Sequence, residues 1–164
     1  NYLDVSDEDI VVDVQGDEPL IYPETIDTLV SNFKLSSFDI MLPYIEINDT
    51  NNVNIVKIST VGKKIIYMSR MDIPCPFSQD RKLKKHLSII AFTVSALRKY
   101  SHMKKSELEK IESIELLRAL ESGLEIGTFQ ESKESFSVDV IEDYHRANRY
   151  MRDDKVYKRY RLVQ

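Results

Sequence analysis

The run IVVDV at Ile10–Val14 constrains the fold more than any other stretch of this chain. Its three leading residues are consecutive, apolar and β-branched, the pattern of a strand covered on both faces. Such a sheet needs helices packed against it. The run ends abruptly at Gln15, Gly16, Asp17 and Glu18. Packing gives no reason for Gln15, Asp17 or Glu18 there, whereas Gly16 lets the backbone turn and approach another molecule closely. In open α/β sheets, ligands bind just beyond the carboxyl ends of strands.

The remaining pattern alternates helix and strand. Pro23-Glu24 opens a helix with Ile26, Leu29, Val30 and Phe33 on one face; Pro suits the first turn, where its missing N–H would be unpaired anyway. Ile40–Ile45 reads as a strand interrupted at Pro43, followed by an Asn-rich loop over 48–54. Val53–Thr60 and Lys64–Ser69 read as a hairpin around Gly62. Residues 72–85 read as an irregular connection and Leu87–Thr93 as a further strand. SELEKIESIELLRALESG reads as one helix: Ser106 and Glu109 form a capping box, Leu108, Ile111, Ile114, Leu117 and Leu120 line one face, and Gly123 stops it. Glu125–Phe129 reads as a short strand, and Asp139–Arg152 as a second helix entered through acids. The expectation is an α/β fold, a sheet made mixed by the hairpin and covered by helices.

The chain of 164 residues suits one domain, and its net charge of −4 gives no whole-chain argument for nucleic acid. A single cysteine, Cys75, excludes an intrachain disulfide and suits a reducing compartment. No apolar run approaches the roughly 18 residues of a membrane span. A cytoplasmic protein without membrane or nucleic-acid partners is expected. The C-terminal segment interleaves Arg146, Arg149, Arg152, Lys155, Lys158, Arg159 and Arg161 with Tyr150, Tyr157 and Tyr160. Basic residues among aromatics can form a nucleic-acid surface; the plainer reading is a solvated terminal helix or a tail packed on a partner subunit. The chain opens on Asn1 and enters strand-like sequence almost at once, from which an upstream portion is expected.

Asp17 is placed to hold Mg²⁺, which prefers one or two carboxylates plus substrate phosphates. The best second carboxylate is Asp139, in a strand-end setting like that of Asp17, where the apolar stretch ending at Val138 gives way to a helix. On spacing alone, a turn residue and an N-cap account for the pair more simply.

The order of motifs adds to this. VDVQGDEPLI (Val12–Ile21), NVNIVKI (Asn52–Ile58), IYMSRMDIP (Ile66–Pro74), KHLSIIAF (Lys85–Phe92), IESIELLRALESG (Ile111–Gly123) and SVDVIED (Ser137–Asp143) together resemble the sugar-acid cytidylyltransferases. They come closest to the 3-deoxy-manno-octulosonate cytidylyltransferases. The resemblance runs in order from about Asp9 to Arg146. It implies a Rossmann-like nucleotide-diphospho-sugar transferase (GT-A-like) fold, incomplete at its N-terminus. It also implies Mg²⁺-dependent transfer of CMP from CTP to a sugar acid, with release of pyrophosphate, in the making of surface-polysaccharide precursors by a homodimer.

Carried over by the resemblance, Asp17 and Asp139 are the metal-binding and catalytic aspartates. Gln15 lies where nucleotide and sugar meet, and Arg70, His86, Glu115 and Lys57 are substrate-binding residues. Residues 1–146 would form the metal- and acceptor-binding portion of one nucleotidyltransferase domain, and 147–164 a basic helical tail. The sequence also departs from the family. The Gly-rich segment that cradles the triphosphate is absent, so about 80 to 90 residues are expected upstream. Ser88, Ile90 and Leu116 replace Gly, Tyr and Gln, and Val140 replaces Thr. A catalytically inactive acceptor-binding or dimerisation fragment is the alternative, followed by a small nucleic-acid-binding domain.

Overall fold

A computed structural model describes residues 5–48, 51–75, 77 and 82–161. Among them seven strands form one sheet: β1 (Ile10–Val14), β2 (Ile40–Ile47), β3 (Lys57–Val61), β4 (Lys64–Ser69), β5 (Leu83–His86), β6 (Ile89–Thr93) and β7 (Ile126–Gln130). Six helices accompany them: α1 (Pro23–Lys34), α2 (Val94–Ser101), α3 (Glu107–Glu112), α4 (Leu116–Glu121), α5 (Ile141–Met151) and α6 (Lys155–Arg161). The α/β class with a mixed sheet is as the sequence suggests. The β2–β7 pairing is parallel, and the other pairings among the described residues are antiparallel.

β2 is the hub. Ile40 and Met41 pair with β6, Tyr44–Ile47 pair with β5, and Ile40–Tyr44 pair in parallel with β7. Pro43 does not interrupt it. The Pro43 carbonyl accepts the Leu87 N–H at 2.9 Å, in the short gap between β5 and β6. The N–H and carbonyl of one strand residue point to the same edge, so the missing donor faces that gap, where no ladder bond is lost.

Each face of the sheet carries a core. On one, Leu29 and Phe33 of α1 pack on Met41, Ile89 and Ala91. On the other, Ile114, Leu116, Leu117 and Ala119 pack on strand residues including Leu42, Ile58, Met68, Ile90 and Phe92.

The structure departs from the sequence reading in several places. The hairpin strand begins at Lys57 rather than Val53, and β5 lies inside the connection expected over 72–85. Residues 76 and 78–81 of that connection, and 49 and 50 of the Asn-rich loop, lie outside the described residues. The long helix is two helices, α3 and α4, broken at Ser113, which adopts φ 52°. Ile111, expected on its apolar face, is 70% exposed. α5 begins at Ile141 rather than Asp139 and ends at Met151. α2 has no counterpart in the sequence reading; Thr93 caps it by accepting the Ala96 N–H at 3.1 Å.

Gly127 of β7 shows how closely the sheet is packed. A Cβ there would lie 2.3 Å from a Phe38 ring carbon. Gly127→Ala should therefore destabilise the fold by about 1–3 kcal/mol, read as a lower denaturation midpoint. A midpoint equal to wild type would mean that the Phe38 ring moves aside freely.

Candidate active site

β1 delivers its side chains to a cavity of about 460 Å³. Val11 pairs with Phe92 and Asp13 with Ile90, and directly paired residues share a face; Val11, Asp13, Phe92 and Ile90 all line the cavity. Gln15 and Asp17 continue that edge past the strand end, and the Gln15 N–H reaches the Ser88 carbonyl at 3.5 Å. Along β5 and β6, His86, Ser88, Ile90 and Phe92 line the cavity, while Leu87, Ile89 and Ala91 are buried away from it.

Asp139 reaches the same cavity by a different route. It does not follow a strand, as expected; residues 131–139 form an extended strap between β7 and α5 without regular secondary structure. Polar contacts staple this strap to the β1–α1 loop. The Val138 N–H donates to the Asp17 carbonyl at 2.8 Å, and Thr25 donates to the Glu131 carboxylate at 3.0 Å. The Ser135 hydroxyl donates to Glu18, a carboxylate only 4% exposed. Glu18 is thus a packing residue after all, contrary to the sequence reading. The Val138–Asp17 bond brings the next residue, Asp139, to the cavity that Asp17 also lines.

The opposite wall is built around Arg70. Its guanidinium donates to the backbone carbonyls of Glu112 (2.8 Å), Val53 (2.9 Å) and Ser113 (3.1 Å). The Glu112 carboxylate in turn accepts from Ser69 Oγ (2.7 Å), the Arg70 N–H (3.0 Å) and the Tyr67 hydroxyl (3.3 Å). These bonds explain the break at Ser113. In a continuous helix the carbonyls of Glu112 and Ser113 would bond four residues onward; here Arg70 takes them. Glu115 and Leu116 are left at the cavity wall as a result. Among the described residues, two of the five guanidinium N–H groups are not engaged.

Lys57, expected to touch substrate, does not line the cavity. Its side chain is fully buried, with Nζ donating to the carbonyls of Asn52 (2.9 Å), Ile55 (2.7 Å) and Arg70, and paired with Asp72 at 3.2 Å. It anchors the backbone that carries Arg70.

Burial holds the His86 imidazole down to about 4, so the ring is neutral at physiological pH. Burial pushes the Tyr100 hydroxyl up to about 12, keeping it protonated and able to donate into the cavity it lines. The sequence reading missed Tyr100, because α2 itself carried no recognisable pattern.

Comparison with known proteins bears on this arrangement. Residues 1–126 match the family model described as cytidylyltransferase. The chain belongs to the cytidylyltransferase family. It is 33% identical over 161 residues to a 3-deoxy-manno-octulosonate cytidylyltransferase of Nitratiruptor sp., covering 89% of this chain and 64% of the relative. It is 36% identical over 155 residues to one of Leptospira interrogans, covering 86% and 62%. A solved CMP:2-keto-3-deoxy-manno-octonic acid synthetase, complexed with CTP, superposes with a TM-score of 0.84 at 27% identity, over 88% of this chain and 62% of that one. The chain thus spans somewhat under two thirds of the length of these relatives. The nucleotidyltransferase fold expected from the motifs is the one observed. Among the described residues, no helix is long and apolar enough to cross a membrane.

Two expectations follow from the geometry. Ser135→Ala should leave the Glu18 carboxylate buried without that donor and lower stability by about 1–3 kcal/mol; faster amide exchange at Val138 would show the strap loosening, and an unchanged exchange rate would deny the staple. For His86, the folded-state value lies below the usual 6.5, so the unfolded chain takes up the proton first. Stability from this group is complete above about pH 6.5 and falls as the pH drops toward 4, by up to about 3 kcal/mol. The denaturation midpoint of His86→Asn should fall less steeply than that of wild type across this window.

Proposed function

We propose that this chain forms the metal- and acceptor-binding part of an enzyme that transfers CMP from CTP to a sugar acid. The acceptor would be 3-deoxy-manno-octulosonate or a related 2-keto-3-deoxy sugar acid. A hydroxyl of the acceptor attacks the α-phosphorus; a P–O bond to the sugar forms, the bond to the β-phosphate breaks, and pyrophosphate leaves with the hydroxyl proton lost to solvent or a base. The observation that carries this reading is the meeting of Asp17 and Asp139, from distant parts of the chain, in one cavity that faces Arg70, His86 and Tyr100.

The two carboxylates suit Mg²⁺. Among the described residues no group of three or more His, Cys, Asp or Glu is gathered as a metal site, and Mg²⁺ ordinarily takes one or two carboxylates with phosphate and water completing its shell. Asp17 and Asp139 would hold it. When bound, it neutralises charge on the phosphates as the transition state forms. The rest of the work is positioning. The two unengaged N–H groups of Arg70 match a carboxylate of the sugar acid, Gln15, which lines the same cavity, would bond where nucleotide and sugar meet, and neutral His86 and Tyr100 can bond sugar hydroxyls. Glu115 lies exposed at the wall of the same cavity, within reach of the acceptor.

The test is pyrophosphate release from CTP with Mg²⁺ and a panel of sugar acids, using the full-length protein. Asp17→Asn and Asp139→Asn should each lower turnover by about 10²-fold or more while leaving the denaturation midpoint near that of wild type. Turnover within a few-fold of wild type in either variant would end the reading.

A further inference from the structure

The cavity has a polar rim and an apolar floor, and the floor is fixed by two independent parts of the fold. Ile90, 7% exposed, is held by the pairing of β6 with β1, opposite Asp13. Leu116, 5% exposed, opens α4 at the position that Arg70 sets by breaking the helix. Both line the cavity and both belong to the core cluster that includes Phe92 and Ile114. Neither side chain can donate or accept a hydrogen bond. Groups that can, among them Ser88, Tyr100 and Glu115, also line the cavity, so hydroxyls elsewhere on a bound sugar have partners.

A hydroxyl pressed onto Ile90 and Leu116 would leave water and gain nothing in exchange, which is unfavourable. A methylene or methyl group at the same place would gain contact with the floor. We propose that Ile90 and Leu116 are specificity-determining residues that select an acceptor bearing an apolar group where the fully hydroxylated sugar acid bears a hydroxyl. The group is either a deoxygenated carbon or the methyl of an acylamino substituent. This rests on reading the cavity as the acceptor site.

The test measures binding as well as turnover. Calorimetric titration of the full-length protein would compare a fully hydroxylated 2-keto-3-deoxy sugar acid with analogues deoxygenated, or N-acetylated, at one carbon at a time. At least one analogue should bind about 10-fold or more tightly than the parent, and the two series separate a deoxy group from an acyl methyl. Leu116→Gln should shrink that preference and Leu116→Met should keep it; Ile90→Thr repeats the measurement if Leu116→Gln does not fold. A parent that binds as tightly as every analogue would overturn the inference, as would failure of all the acceptors to bind. Pyrophosphate release from CTP is scored separately. Selective binding without release would reject the transfer reading and leave the apolar seat in place, whereas release without selectivity would do the reverse.

Discussion

A single backbone hydrogen bond, from the Val138 N–H to the Asp17 carbonyl, decides what this fold can do. Such a bond contributes only about 0.5–1.5 kcal/mol net, too little to hold an extended strap by itself. Its neighbours make it persistent. Glu18 and Ser135 are both buried and satisfy one another, and Thr25 on α1 holds Glu131 at the start of the strap. Burying a carboxylate is unfavourable without a donor, so the strap cannot lift without exposing Glu18 or leaving it unpaired. The polar residues past β1 thus have two separate tasks. Glu18 fastens, and Asp17 faces the cavity.

The far wall follows the same logic with a different residue. Lys57 fixes the Arg70 carbonyl, and Arg70 then takes carbonyls that a continuous helix would use. Two buried or half-buried cations shape the wall before any ligand arrives.

Much of this was legible in the sequence because it rests on local pattern. The β-branched run of β1, the Pro-opened α1, the Gly62 turn and the Ser106–Glu109 capping box each encode their own geometry, and the last two are found as read. Gln15 and Asp17 stand out because a buried strand has no use for them. What escaped was set by tertiary bonds. The apolar spacing from Leu108 to Leu120 is continuous, and nothing in it marks Ser113 as left-handed; the cause is Arg70, just past the end of β4 and more than forty residues earlier in the chain. Lys57 sits between Val56 and Ile58, and a charged residue in a strand is more often solvated, so its complete burial could not be inferred from spacing. Asp139 was picked out by an apparent strand-end setting before the resemblance assigned it a role, and that setting was misjudged because an irregular strap held by Glu18 and Thr25 looks, in sequence, like the end of a strand.

The alternation along β5 and β6 has an evolutionary corollary. His86, Ser88, Ile90 and Phe92 face the cavity, while Ile89 and Ala91 between them serve the opposite layer with α1. The gap opposite Pro43 does not disturb this parity, since the chain resumes on the same face. The lining of the cavity and the α1-side core are therefore written on separate letters of one short stretch. Change at positions 86 and 88 can therefore alter the lining of the cavity without touching the packing of Ile89 and Ala91 on the α1 side, whereas Ile90 and Phe92 also carry the core of the other layer.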